Sequence, residues 1–210
     1  IGTFDVSGTG KKAVAPDEAV VDIGVRKQAK TVKEAQKMAN ESMDKLSKEL
    51  MKIGIDEKDI KTTNYSVNPE YSPENYQKVS GYVVYQSLEV RVREGNFDKI
   101  EQVMDLAGSL GLEQAGGLRF ELSDKLEKET KNTARAMAVA EAKEKAESLA
   151  KLAGVKLGKI VNVSESFGGG VVPMYARAET MMVKDAAIGS QVSPGTTDMQ
   201  VMVILSYETL

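Results

Sequence analysis

Five of the seven tyrosines lie between Tyr65 and Tyr85, around the stretch Asn68-Pro69-Glu70-Tyr71-Ser72-Pro73-Glu74-Asn75-Tyr76. Tyrosine joins a flat apolar body to a polar tip, which suits recognition of protein or sugar surfaces. It also favours strands for its shape alone. Tyr71 and Tyr76 fall on an expected loop, where recognition residues concentrate. A second candidate surface is Gly168 to Gly195, with Pro173, Met174, Tyr175, Met181 and Met182. That segment is far longer than an ordinary connection. It reads as hiding a strand near 179–184 or as ordering against another subunit. Its methionines could also serve cuprous copper, since thioethers are soft ligands, but methionine more often fills irregular apolar surface.

Other chemistry is restricted by what is missing. The chain has no histidine and no cysteine. That removes the commonest general base and transition-metal ligand, together with thiolate sites and disulfides. Ser7-Gly8-Thr9-Gly10-Lys11-Lys12 invites a phosphate-loop reading. However, Asp5 stands where that loop needs its first glycine, and Lys12 where it needs Ser or Thr. The segment reads instead as a glycine turn between strands, closed by Pro16-Asp17. A carboxylate pair of the glycosidase kind needs two acids at a set separation. Among 31 acidic residues the sequence selects none. No catalytic residue, cofactor or metal site is assigned, and the chain reads as non-enzymatic, with a carboxylate-based hydrolase as the remote alternative.

The 210 residues carry a net charge of −3, with lysines scattered among carboxylates. Nucleic-acid binding needs a clustered basic face instead. No apolar run reaches the length of a membrane span. The chain opens at Ile1 without methionine, which reads as a trimmed or processed protein with a signal peptide upstream.

The elements that would position these residues follow from periodicity. A short strand is expected over 3–7 and another over 19–29. A helix capped by Thr31 carries Ala35, Ala39, Met43, Leu46 and Leu50 on one face and stops at Gly54. Strands are expected over 60–71 and 80–93, then a helix over 97–110 and a strand at Leu118, Phe120 and Leu122. In the 80–93 strand, Tyr82, Val84, Leu88, Val90 and Val92 oppose Glu89, Arg91 and Arg93. This order is the ferredoxin-like split βαβ arrangement (β-α-β-β-α-β) of an α+β protein. Residues 124–153 read as a long helix, capped by Asp124 with Glu127 and ended by Gly154. Its expected buried stripe is Ala134, Ala138, Ala142, Ala146, Leu149 and Ala153. A strand over 159–167 and a last strand around Met199–Tyr207, apolar on both faces in its middle, complete the chain. The organisation is one domain over 1–210, with a ferredoxin-like lobe over 19–122. Residues 1–18 plus 123–210 form a second lobe around the long helix.

Several segments, in order, carry a family resemblance. They are Val6-Ser7-Gly8-Thr9-Gly10 with Pro16-Asp17-Glu18-Ala19; Gly54-Ile55 with Lys58-Asp59-Ile60; Gly81-Tyr82 leading into Leu88-Glu89-Val90; and Gly117-Leu118-Arg119-Phe120 with Ser123-Asp124. The longest runs from Ala142 to Glu165, and Pro194-Gly195 precedes the final strand. Together they resemble the SIMPL-domain family over nearly the whole chain. The resemblance implies a periplasmic or secreted protein, self-association into a homo-oligomer, and a link to stress defence. It carries over no catalytic residue. The residue-level alternative is a monomeric module that binds a peptide or small ligand through the tyrosine-rich hairpin.

Overall fold

The computed structural model describes residues 2–167, 172–174 and 193–210, with backbone only for 113–116 and 172–174. The chain is α+β. It divides into two compact units, Asp17–Glu121 and Ile1–Pro16 with Leu122–Leu210.

The Asp17–Glu121 unit forms around two helices on one face of a four-stranded sheet. The elements of the whole chain are numbered in order, so β1 belongs to the other unit. Here they run β2 (Glu18–Ala29), α1 (Val32–Lys52), a single 3-10 turn (Glu57–Asp59), β3 (Ile60–Ser72), β4 (Asn75–Arg93), α2 (Lys99–Ser109) and β5 (Glu113–Glu121). The sheet order is β3-β4-β2-β5, antiparallel throughout, as the alternating patterns require. Thr31 caps α1 by accepting from the Glu34 N–H. The core is made of branched and long side chains: Val21, Ile23, Val84 and Val90 from the sheet, and Met43, Leu46, Leu50, Ile100 and Val103 from the helices.

The second unit is built on a different scale. β1 (Thr3–Val14) pairs antiparallel with β8 (Thr196–Thr209), which pairs on its other side with β6 (Leu157–Phe167) and with the short β7 (Val172–Met174). The last strand is therefore central. Among the described residues one helix, α3 (Asp124–Ala153), lies on this sheet. Its buried row is Thr130, Ala134, Ala138, Ala142, Ala146 and Ala150, a four-residue step throughout. Such a row slants about 26° across a helix surface and so follows a twisted strand. Leu149 and Ala153 were expected on this stripe, but they sit a three-residue step off the row and are exposed. The cap also differs from expectation. Ser123, not Asp124, accepts from the Leu126 N–H. Gly154 closes the helix in the left-handed conformation, φ 68°, where a Cβ would be strained.

The segment Ser7–Lys12 is not a turn. It runs through the middle of β1, with Gly8 opposite Val203 and Gly10 opposite Val201. Both glycines face α3. A Cβ on Gly8 would fall inside the helix backbone at Ala138 and Ala142, and one on Gly10 inside it at Ala134 and Ala138. The glycines are there for close approach: an alanine row on the helix meets a strand with no side chain at two successive inward positions.

Candidate interaction surface

Tyr71 and Tyr76 were expected on a loop. They lie instead on paired strands, because β3 continues to Ser72 and β4 begins at Asn75. The turn between them is short, and Ser72 pairs with Asn75 across it. β2 stops pairing with β4 at Ala29, opposite Tyr82. Beyond that point, residues 75–81 are paired with β3 alone among the described residues. The result is a two-stranded ribbon projecting past the sheet by on the order of 20 Å at strand spacing.

Side chains on the ribbon are open to solvent. Tyr76 is 79% exposed and Tyr71 47% exposed, and Val79 lies opposite Tyr71 in the register. At the base of the ribbon Glu70 receives the Gln28 amide and pairs with Arg26 at 3.5 Å. Arg26 also donates to the Tyr85 hydroxyl at 3.0 Å and lies over its ring. The base is held by polar contacts, while Tyr71, Tyr76 and Val79 stand exposed among the polar residues of the tip. Two-stranded ribbons are marginal in water by themselves, so a projecting tyrosine tip is a surface suited to a partner.

The second expected surface is only partly placed. Pro173 and Met174 belong to β7, aligned with Thr197 and Thr196 of β8. Tyr175, Met181, Met182 and the strand expected at 179–184 lie outside the described residues.

The helix-free face of the Asp17–Glu121 sheet is charged, and sequence reading reached only part of it. Arg119 contacts Asp22 and Glu89 and meets Glu121 at 2.6 Å. Arg91 reaches Glu18 at 3.3 Å and Glu121 at 3.8 Å. Arg93 holds Asp59 at 2.6 and 3.0 Å and Glu18 at 3.3 Å. Val20, opposite both Arg91 and Arg119 in the register, is fully buried beside them. The arginine stems supply apolar cover while their heads stay paired. Burial opposes the Arg119 charge, but the hydrogen bonds it donates to Glu121 and Glu89 outweigh it and raise its pKa. Each of these three arginines is matched to carboxylates, the pattern of a closed lattice.

Among the described residues, the carboxylates whose titration is displaced move downward. Glu141 is lowered by the Thr9 N–H and then by Lys145, Glu165 by hydrogen bonds from Arg135, and Asp56 by Lys58. A general acid at neutral pH needs the opposite shift. The described residues contain no group of three or more acidic side chains able to hold a metal ion. The open grooves on the helix side are lined by mixed residues. One of about 390 Å³ is bordered by Lys27, Met38, Glu41 and Lys45.

A family model described as SIMPL, a protein of unknown function (DUF541), matches residues 4–207. The chain belongs to the SIMPL family. The match takes in both units, so the ribbon, the arginine lattice and the glycine–alanine contact all lie within the SIMPL region. Among curated proteins, the 26 kDa periplasmic immunogenic protein of Brucella melitensis biotype 1 is 37% identical over 166 residues, covering 76% of this chain. Its counterpart in Brucella abortus strain S19 matches to the same extent. The chain spans 65% of the length of these two relatives, just under two thirds. An uncharacterized protein, YggE, of Edwardsiella ictaluri is 30% identical over 196 residues, covering 91% of this chain and 77% of that protein. No helix among the described residues is long and apolar enough to cross a membrane.

Proposed function

We propose that this SIMPL chain is an exported, non-enzymatic protein that works as a self-assembled particle and contributes to stress defence. The observation that carries the assembly reading is the projecting ribbon, with Tyr71, Val79 and Tyr76 uncovered beyond the end of the sheet. Export is supported by the periplasmic relatives at 37% identity. The non-enzymatic reading is supported by the chain's lack of histidine and cysteine and by carboxylates held by cations and N–H groups. The stress-defence reading draws on the family resemblance and is tested by peroxide survival of a strain lacking the gene.

Multi-angle light scattering tests the assembly. The wild-type chain is expected to run as multimers of the 22.7 kDa protomer at tens of micromolar. Tyr71→Ala with Tyr76→Ala is expected to shift the mass downward while the circular dichroism stays unchanged. A wild-type monomer that gains thermal stability with a saturating peptide or small ligand, and loses that gain in the double variant, would replace assembly with the monomeric binding module.

A further inference from the structure

Among the described residues the β1-β8-β6 sheet has two edges, and they are treated differently. β1 is an edge strand whose backbone is occupied by helix side chains: the Thr9 N–H donates to the Glu141 carboxylate, and Lys145 donates to the Ser7 carbonyl at 3.0 Å. Such capping blunts an edge against strand addition. At β6 nothing comparable is present among the described residues. Asn162–Phe167 runs against Ser206–Val201 of β8 without interruption and contains neither proline nor lysine. Its one charge, Glu165, is drawn onto α3 by a two-point contact with Arg135, at 2.7 and 2.9 Å. Val163 and Phe167 stand opposite Leu205 and Val201, on the α3 side of the sheet. They are nevertheless 60% and 50% exposed, because α3 lies over β1 and β8 and reaches Phe167 only through Lys131, whose ammonium lies 3.4 Å from the ring centroid. An edge strand without capping side chains among the described residues, with Val163 and Phe167 half-exposed, is a template for another strand.

We infer that the outer edge of β6 pairs antiparallel with β6 of a second copy, about a two-fold axis through Glu165. The register selects the occupant. With Glu165 on the axis, Val163 faces Phe167 of the second copy and Ser164 faces Ser166 of the second copy, each twice by symmetry. β-branched–aromatic and Ser–Ser pairs are favourable cross-strand combinations, whereas facing like charges are not. Here each Glu165 already carries its own Arg135, so the axis brings together two neutralised pairs. An axis at Ser164 would set Val163 against Glu165 of the second copy. An axis at Val163 would bring in Val161, where the β6 register is irregular. The pairing is isologous and closes on itself, joining two four-stranded sheets into one. It rests on the self-assembly reading above and adds a contact separate from the ribbon.

The chain has no cysteine, so engineered thiols report without background. Facing residues in an antiparallel pair have Cα atoms about 4.5–5.5 Å apart, within disulfide reach. A residue and its own symmetry mate two positions off are about 7–8 Å apart, beyond that reach. Ser164→Cys and Ser166→Cys, both at exposed positions, are prepared separately and oxidised alone and mixed. The expected result is a disulfide dimer in the mixture and little in either sample alone. Equal crosslinking in all three samples overturns the register. No crosslink in the mixture while light scattering shows multimers overturns the β6 contact and leaves self-assembly standing. No crosslink from a monomeric protein overturns both.

Discussion

In the Asp17–Glu121 unit, two helices cover a four-stranded sheet, and Leu46, Leu50, Ile100 and Val103 fill the space between the layers. In the other unit one helix among the described residues serves the sheet, and its contact with β1 is alanine against glycine. The first arrangement fills volume; the second removes it. The difference teaches where each unit is vulnerable. A core of large side chains fails when atoms are deleted, because a cavity remains. A contact made of backbone and methyl groups fails when atoms are added, because nothing can move aside without separating helix and strand. The second arrangement also seats α3 over β1 and β8, leaving Val163 on β6 60% exposed and Phe167 half-exposed beneath the Lys131 ammonium.

The largest expected effect comes from breaking the close contact. Gly10→Val places a branched side chain inside the α3 backbone at Ala134 and Ala138. It should cost more than about 3 kcal/mol and leave little folded second unit, at the upper end of overpacking effects. Urea unfolding followed by circular dichroism reads this directly, and a loss under about 1 kcal/mol would mean that the layers are not in contact there.

Next comes the opposite substitution in the other unit. Leu46→Ala deletes a fully buried side chain and should cost about 3 kcal/mol through lost burial and a residual cavity. Its counterpart, Ala138→Leu, adds volume where α3 meets Gly8 and Gly10 and should cost about 2 kcal/mol. Equal tolerance of enlargement at Leu46-type and Ala138-type positions would erase the distinction between the units.

Acid exposes a smaller difference. Glu141 and Glu165 both belong to the glycine–alanine unit, and their folded-state pKa values lie below the ordinary 4.5. A carboxylate depressed in the folded state contributes stability above its unfolded pKa and loses it as pH falls through the folded value. The melting temperature should therefore drop as pH falls below about 4.5, and Glu141→Gln with Glu165→Gln should flatten that slope. Both groups are exposed, so screening by salt should also reduce the effect. A slope unchanged in the double variant would remove these pairs from the account.

Much of this comparison could be read from residue order, and the exceptions have physical causes. The β-α-β-β-α-β order of the larger-core unit was legible because its apolar positions repeat cleanly, as in Ala35, Ala39, Met43, Leu46 and Leu50. β1 was misread because glycine marks both turns and close approaches. The atoms that decide between them belong to α3, distant in sequence. The length of the β3–β4 ribbon was hidden for another reason: residues 70–80 are polar on both faces and interrupted by Pro73, so neither period appears. Tyr71 and Tyr76 stood out by type as candidates for recognition, and their exposure follows from pairing with one neighbouring strand. The β6 edge left no local signal either, since an edge is defined by which strands pair elsewhere.

The most direct test of the central claim, that this chain leaves apolar surface open for copies of itself, is the solution mass. Light scattering at tens of micromolar is predicted to give multiples of 22.7 kDa, falling in the Tyr71→Ala/Tyr76→Ala variant. A wild-type protein that stays at the mass of one protomer at that concentration would contradict the claim.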